Sequence, residues 1–226
     1  MPRWFITGTD TDAGKTYVTS ALAAAFRALD FDTLALKPLM SGFEPNHPES
    51  DSVRIANAAG HAPKVFAWWE TPVSPHRAAW IENKPLDING LRRWLAEHQA
   101  AQTLVEGVGG WRVPLSMSET GDVHYAVRDL AKDVNGDIIV VAPNRLGILN
   151  QVQLTVEAIQ RDGLSVRGVV LNQLQTRSTS VAEKTNLDDL EKLLSVPTTT
   201  FPVINELEPA VLATAGRSIL DAFTLT

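Results

Sequence analysis

The sequence predicts an α/β fold, in which a doubly wound, mainly parallel sheet is flanked by helices. Short apolar runs without alternation, such as residues 4–7 and 138–142, alternate with longer segments of helical period. Strands that are covered on both faces read as continuous apolar runs, and β-α-β repetition winds helices onto both faces of one sheet. No repeat, low-complexity tract or Gly/Ser linker divides the 226 residues, so we expect a single domain over residues 1–226.

The elements of the first half begin with a strand over residues 4–7, followed by an amphipathic helix over residues 15–29. The next apolar run, residues 33–36, predicts a second strand, and residues 51–59 predict a short helix. A helical segment over residues 91–99 leads to a brief strand over residues 103–105.

The second half repeats this alternation. We predict strands over residues 138–142, 166–171 and 199–201, and helices over residues 123–132, 150–161, 187–194 and 213–223. Ligands of such sheets bind beyond the carboxyl ends of the strands. Residues 8–15, Lys37, Glu106 and Asn172 each follow a predicted strand, so they are the candidates for a site.

Composition and charge exclude several classes of function. The net charge of −6 gives no general attraction to nucleic acid or to an anionic membrane. The absence of cysteine excludes disulfides, thiolate metal sites and a cysteine nucleophile. The apolar run at residues 4–8 is too short for a signal peptide, and no stretch approaches the roughly 18 apolar residues of a membrane span. We therefore expect a cytoplasmic protein without a nucleic-acid or membrane partner.

The segment GTDTDAGKT, residues 8–16, predicts a phosphate-binding loop of the P-loop NTPase type. It has five residues between Gly8 and Gly14, where the common pattern has four. Gly14, Lys15 and Thr16 nevertheless follow a strand and open a helix, as such a loop requires. The N–H groups of the helix start and Lys15 attract an anion, and the hydroxyl of Thr16 can ligate Mg²⁺.

Three charged side chains are candidates to complete the site. Glu106 ends a strand and precedes glycines, so it fits a ligand of nucleotide-bound Mg²⁺. Asp51 is either a second such ligand or the cap of the helix that follows. Lys37 is either a solvated strand end or a second cation that faces the phosphate loop.

Six segments resemble the dethiobiotin synthetase family, the ATP-dependent carboxylases of the biotin pathway, in order and nearly end to end. They are GTDTDAGKT (8–16), KPLMSG (37–42), SDS (50–52), TPVSPHRAA (71–79), VEGVGGWRVPLS (105–116) and RLGILNQVQLT (145–155). One such match is modest evidence, whereas six in order are highly specific. The five-residue spacing is that family's own variant of the loop.

The resemblance implies ATP as co-substrate, Mg²⁺ as metal and a homodimer with composite sites. It implies metal ligation by Thr16, Asp51 and Glu106, and catalytic roles for Thr11, Lys15 and Lys37. The nucleotide contacts that it implies are Asp12, Ala13, Gly14, Lys15, Thr16, Tyr17, Asp51, Glu106, Gly107, Val108, Gly109, Asn172, Gln173, Pro202, Val203 and Ile204. The implied substrate contacts are Thr11, Lys37 and Ser41, with Gly147, Ile148, Leu149 and Asn150 supplied by the partner protomer.

The reaction that the resemblance implies joins CO₂ to 7,8-diaminopelargonic acid as a carbamate, phosphorylates the carbamate and closes a ureido ring. Four residues depart from the family pattern: Asp12 for glutamate, Arg145 for lysine, Gln151 for histidine, and Gln173 where an acidic residue is frequent. Two alternatives are a P-loop amide-forming synthetase with another substrate and a nucleotide switch without catalysis. The amide-forming class usually carries a glutamine-hydrolysing domain, which needs a cysteine that this sequence lacks.

Overall fold

The computed structural model describes residues 2–174, 180–205 and 207–225, and within them the chain forms ten strands and eight helices. The strands are β1 (Arg3–Gly8), β2 (Thr33–Leu36), β3 (Leu39–Ser41), β4 (Ala67–Trp69), β5 (Gln102–Gly110), β6 (Pro114–Met117), β7 (Val123–Ala126), β8 (Asp137–Pro143), β9 (Val166–Asn172) and β10 (Thr198–Phe201). The helices are α1 (Lys15–Ala28), α2 (Asp51–Ala59), α3 (Pro75–Ile81), α4 (Ile88–Glu97), α5 (Val127–Val134), α6 (Ile148–Arg161), α7 (Val181–Leu193) and α8 (Pro209–Phe223).

A six-stranded sheet in the order β10-β9-β8-β1-β5-β2 forms the centre, and its described pairings are parallel. β1 lies between β5 and β8, with Ile6 opposite Glu106 on one side and Ile139 on the other. The carboxyl ends of β1, β5 and β2 therefore meet at one edge of the sheet. The predicted α/β class is confirmed.

Both faces of this sheet are buried, which explains the continuous apolar runs. Phe5 and Val140 pack into the core layer that contains α4, α5 and α6, whereas their neighbours Ile6 and Val141 pack into the layer of α1 and α8. These four residues are fully buried. Consecutive residues of one strand point to opposite faces, so each face needs its own apolar set.

The prediction of one helix over residues 123–132 is wrong at its start. Val123–Ala126 form β7, which pairs antiparallel with β6, and the helix begins at Val127. The carboxylate of Asp129 accepts the backbone N–H of Ala126 at 2.9 Å, which holds the helix start at this point. The pairing with β6 replaces the first helical turn that the local pattern favours.

Four short strands and one helix were not predicted. β3 and β4 pair parallel with each other, and β6 and β7 form the antiparallel pair. α3 begins at Pro75, which lies within its first turn. Segments of three or four residues carry too little periodicity to be recognised without their pairing partners. Within the described ranges, no helix is both long and apolar enough to cross a bilayer.

Helices α1 and α8 pack with their backbones in direct contact. A Cβ atom placed on Gly216 of α8 would overlap the carbonyl oxygen of Ala21 on α1 and would lie 2.9 Å from the Cβ of Ala25. Gly216 therefore lets the two helices approach, and α1 in turn carries the phosphate loop at its start.

We predict that Gly216→Ala destabilises the protein, although alanine favours helix by about 1 kcal/mol over glycine. Overpacking at a tight contact costs about 1–3 kcal/mol, and here it acts on backbone that cannot move aside. Urea unfolding measures the change. The control is Ser218→Ala, on an exposed position of the same helix, which we expect to alter stability by less than about 0.5 kcal/mol. A stabilised Gly216→Ala variant would contradict the close packing of α1 and α8.

Candidate active site

A cleft of about 640 Å³ lies at the carboxyl edge of the sheet, beyond β1, β5 and β2. It is lined by many of the site residues that were predicted from the sequence: Thr11, Asp12, Gly14, Lys15, Thr16, Tyr17, Lys37, Ser41, Asp51, Glu106, Val108 and Gly109. Two further predicted residues lie directly behind it. Ala13 is fully buried under the loop, and the carbonyl of Gly107 lies 3.4 Å from the ammonium nitrogen of Lys37.

The phosphate loop has the geometry of an anion cradle. Gly14 adopts a φ of 95°, which favours glycine, and no described side chain caps the helix that begins at Lys15. The ammonium of Lys15 is nearly buried and donates to the carbonyl of Asp10 at 3.0 Å. Burial lowers the pKa of Lys15 to about 8, and the charge of Lys37 acts in the same direction. Free N–H groups and a confined lysine thus face the place where a phosphate would bind.

Lys37 lies between two carboxylates at the centre of the cleft. Its ammonium contacts Glu106 Oε1 at 2.6 Å and Asp51 Oδ2 at 2.9 Å. Burial alone would lower the pKa of Lys37, but the carboxylates of Glu106 and Asp51 outweigh this effect and hold the pKa above its ordinary value. Burial acts to raise the pKa of Asp51, but the charge of Lys37 outweighs it and holds that pKa below its ordinary range. The reading of Lys37 as a solvated strand end is excluded by its exposure of 4%.

Thr16, Asp51 and Glu106 form a set of oxygen ligands that fits Mg²⁺. The hydroxyl of Thr16 donates to Glu106 Oε1 at 2.9 Å, and the buried Oε2 of Glu106 has no hydrogen-bond partner among the described residues. Burial raises the pKa of Glu106, and the ammonium of Lys37 opposes this shift. The described ranges contain no cluster of three or more His, Asp or Glu side chains that could hold a metal alone. A magnesium ion that arrives with nucleotide phosphates needs one or two carboxylates, which is what this site offers.

A second group of predicted residues lies on the other side of β1, at the ends of β9 and β10. Asn172 pairs with Phe201, and the backbone N–H of Gln173 donates to the carbonyl of Phe201 at 2.9 Å. Pro202, Val203 and Ile204 follow directly in the chain, and each is at least partly exposed. The amide of Asn172 donates to the carbonyl of Ala13 at 3.1 Å, which ties this group to the phosphate loop.

The segment of residues 147–150 lies outside the cleft of its own chain. Gly147 precedes α6 with a φ of 88°, and no described side chain caps this helix start. The helix begins at Ile148, two residues before the predicted position. Ile148 is fully buried, so its side chain cannot contact a ligand, and its backbone N–H already donates to the carbonyl of Arg145 at 3.3 Å. Leu149 is half-buried, whereas Gly147 and Asn150 are exposed.

The cleft also contains residues that the sequence did not nominate. They are Met40, Phe43, Glu49, Arg54, Pro72, Val73, Ser74 and Val113. Arg54 lies three positions after Asp51, on the same face of α2, and this spacing could have indicated it. The hydroxyl of Ser41 donates to the carbonyl of Val73 at 2.7 Å, so the segments KPLMSG and TPVSPHRAA meet at this wall.

The fold and the site together define a P-loop nucleotide-binding protein. A family described as AAA domain matches residues 3–210. The ATP-dependent dethiobiotin synthetase BioD of Bacillus velezensis is 35% identical over 203 residues, which cover 87% of this chain and 84% of the relative. The chain belongs to this dethiobiotin synthetase family, within the P-loop proteins of the AAA domain family.

Two solved structures share the fold at low identity. A putative plasmid partition protein from Borrelia burgdorferi, bound to AMPPNP, has a TM-score of 0.57 at 12% identity and covers 99% of this chain and 98% of its own. Cobyrinic acid a,c-diamide synthase from Mycobacterium smegmatis, with a bound ATP analogue and magnesium, has a TM-score of 0.54 at 15% identity. It covers 99% of this chain and 94% of its own. These likenesses show the fold alone, so the choice between catalysis and switching depends on the site and the family.

We predict that Lys37→Gln lowers the free energy of unfolding of the ligand-free protein by about 3–5 kcal/mol, because Glu106 then stays buried without a cation. Adding Glu106→Gln to this variant should recover part of the loss, since the buried charge is then removed as well. Denaturant unfolding of the two single variants and the double variant measures the coupling.

The control is Arg217→Gln, which breaks an exposed ion pair with Asp221 on α8 and should cost at most about 1 kcal/mol. Strictly additive effects of Lys37→Gln and Glu106→Gln would show that the two side chains are not coupled.

Proposed function

We propose that the protein catalyses the ATP-dependent carboxylation and ring closure of 7,8-diaminopelargonic acid to dethiobiotin, with ADP and phosphate as the other products. The observation that carries this proposal is the buried Lys37 ammonium, which faces the same cleft as the phosphate loop and Ser41. A nucleotide switch without catalysis does not need Lys37 as a second fixed cation in addition to Lys15. Membership of the dethiobiotin synthetase family supports the choice of substrate.

ATP would bind across the carboxyl edge of β1. The triphosphate would lie on the loop from Asp12 to Thr16, held by backbone N–H groups and Lys15. Tyr17 and residues 107–109 would flank it. The base would lie beside Asn172, Gln173 and residues 202–204, which reach the same loop through the bond from Asn172 to Ala13.

Mg²⁺ would be held by Thr16, Asp51 and Glu106, all of which offer hard oxygen ligands. When bound, it neutralises charge on the phosphate oxygens and orients them for transfer. The support for this assignment is Glu106 Oε2, which has no hydrogen-bond partner in the described ranges, together with the Thr16 hydroxyl at 2.9 Å from Glu106 Oε1.

The chemistry would proceed between the phosphate loop and the wall that contains Ser41. A neutral amine of the substrate adds to CO₂ and loses a proton, which gives a carbamate. A carbamate oxygen then attacks the γ-phosphorus, and ADP leaves. The second amine attacks the carbonyl of the mixed anhydride, expels phosphate and loses its proton as the ring closes. Thr11 and Ser41 would position the carbamate, and Lys15 and Lys37 would stabilise the negative charge where it meets the phosphoryl group.

The working unit would be a homodimer with composite sites. Residues 147–150 lie outside the chain's own cleft, and no described side chain caps this helix start. Its N–H groups other than that of Ile148 could receive the carboxylate of a substrate bound to a partner. Leu146, beside them, is 81% exposed, as an interface residue would be in a separate chain. We propose that residues 1–226 act as one domain, in the cytoplasm where ATP is available, and without a nucleic-acid partner.

The test of this function is phosphate release by the purified protein with ATP, Mg²⁺, bicarbonate and 7,8-diaminopelargonate. Turnover should require each component, and omission of either bicarbonate or the diamine should reduce it to the background rate. ATP hydrolysis that does not depend on the diamine would indicate another function.

We predict that Lys37→Gln lowers kcat at least about 100-fold, because removing one electrostatic contact to the charge that develops in the transition state commonly lowers the rate by about 10²–10³. ATP should still bind, since Lys15 and the loop remain. Steady-state kinetics and ATP titration, both at a temperature at which the variant is folded, measure the two effects. Turnover within a few-fold of wild type would remove Lys37 from the mechanism.

We predict that Glu106→Gln weakens the dependence on Mg²⁺, because an amide oxygen replaces a charged ligand. The Mg²⁺ concentration for half-maximal turnover should rise by about tenfold or more, while the unfolding temperature changes less than in Lys37→Gln. An unchanged Mg²⁺ profile in a folded variant would exclude Glu106 as a ligand.

We predict that two impaired variants complement each other if the sites are composite. Lys37→Gln damages the cleft, and Asn150→Asp places a negative charge where the partner would receive the substrate carboxylate. In an equal mixture of the two variants that exchanges subunits at random, half of the dimers contain one subunit of each kind. Each such hybrid has one intact site out of two, so about a quarter of the wild-type activity should return. Purely additive activity of the mixture, or an active monomer in light scattering, would contradict the composite site.

A further inference from the structure

Two buried asparagines behind the cleft form a hydrogen-bonded pair that the reaction itself does not use. Asn144 follows β8 directly, and Asn186 lies on α7; their exposures are 1% and 2%. The side-chain N–H of Asn186 donates to Asn144 Oδ1 at 2.8 Å. Burying an amide is unfavourable unless its polar atoms are paired, so the partners of this pair show what it holds in place.

On one side, Asn144 is bonded to the turn that follows β9. Its side-chain N–H group donates to Gln173 Oε1 at 3.2 Å and to the carbonyl of Glu183 at 2.9 Å. Its backbone N–H donates to the carbonyl of Asn172 at 2.8 Å. Asn144 therefore fixes the two residues that are proposed to contact the base.

On the other side, Asn186 is bonded to the turn that precedes α6. Its N–H group donates to the carbonyl of Arg145 at 3.1 Å, and the same carbonyl accepts the backbone N–H of Ile148 at 3.3 Å. No described side chain caps the start of α6. The bond from Asn186 to the carbonyl of Arg145 is therefore a side-chain contact that holds the preceding turn in place.

The orientations of the two amides depend on each other. Asn144 Oδ1 must face Asn186, because its N–H group is already shared between Gln173 and Glu183. Rotating either amide by half a turn would place two donors or two acceptors against each other, which is unfavourable in a buried site. The pair thus has one satisfied arrangement, and this arrangement joins the turn after β9 to the start of α6.

We propose that Asn144 and Asn186 are positioning residues, which hold the start of α6 and the base-binding turn in one fixed geometry. This inference rests on the proposed function, in which the start of α6 receives the substrate carboxylate and Gln173 lies beside the base. Lys15 begins α1 after the loop that follows β1, Lys37 follows β2, and Glu106 lies in β5. These elements are on the other side of the sheet's centre. Disturbing the asparagines should therefore impair binding more than the chemical step.

The first test is Asn186→Leu, which keeps the size of the side chain and removes both donors. We expect the KM for 7,8-diaminopelargonate to rise by about five- to tenfold, with kcat within about threefold of wild type. Asn186→Ser is a milder second variant, because a hydroxyl has a single donor and leaves room for water. It should shift the KM in the same direction by a smaller factor.

The second test is Asn144→Leu, which removes the donor to Gln173. We expect the Kd for ATP, measured by calorimetry without the diamine, to rise by about fivefold. This measurement does not depend on which substrate is carboxylated. If wild-type protein releases no phosphate with the diamine, the proposed function fails, and the ATP affinity of Asn144→Leu still decides the positioning role on the base side.

The matched control is Gln102→Met. It removes another buried side-chain hydrogen bond, from Trp4 to Gln102 at 2.9 Å, at the amino ends of β1 and β5 and away from the cleft. It should lower the unfolding temperature to a similar extent and leave both KM values unchanged. If Asn186→Leu and Asn144→Leu likewise lose only stability, or lose kcat rather than affinity, the two asparagines are structural and the proposal is overturned.

Discussion

The contact of the Lys37 ammonium with Glu106 and Asp51 is the interaction on which the rest of the site depends. Glu106 is 1% exposed, and a carboxylate buried to this degree is unfavourable without a cation beside it. Lys37 supplies that cation, and it holds the carboxylates near Thr16. The three side chains that are proposed to hold Mg²⁺ therefore lie together, although each comes from a different part of the chain.

The parallel sheet makes this assembly possible. β1, β5 and β2 are neighbours, so the residues at their carboxyl ends converge without any one loop being long. β8 and β9 extend the same edge in the other direction and carry Asn144 and Asn172. One edge thus presents the proposed phosphate and transfer region on one side of β1 and the proposed base region on the other, and the bond between Asn172 and Ala13 joins them.

The fold does not select the reaction. A partition protein and a diamide synthase both align with nearly the whole chain at TM-scores above 0.5. In this chain, Lys37 and the wall that contains Ser41 line the same cleft as the phosphate loop. A fold supplies the phosphate cradle, whereas the residues around it determine what meets the phosphate.

The sequence by itself determined the α/β class, the phosphate loop and the positions of Lys37 and Asn172 at strand ends, because these depend on local patterns. Glu106 was expected at a strand end as well, but it lies in the middle of β5, because the pairing with β1 continues beyond it to Gly110. Continuous apolar runs indicate strands that are buried on both faces, and Gly14-Lys15-Thr16 directly after a strand indicates a helix start. Local pattern left Lys37 and Asp51 undecided, and it wrongly extended a helix back to Val123. Only the tertiary structure placed Lys37 between its two carboxylates, paired β6 with β7, kept residues 147–150 out of the chain's own cleft and joined Asn144 to Asn186. Each of these depends on residues brought together by the packing and pairing of separate elements, and a local pattern carries no information about which distant partner a side chain will meet.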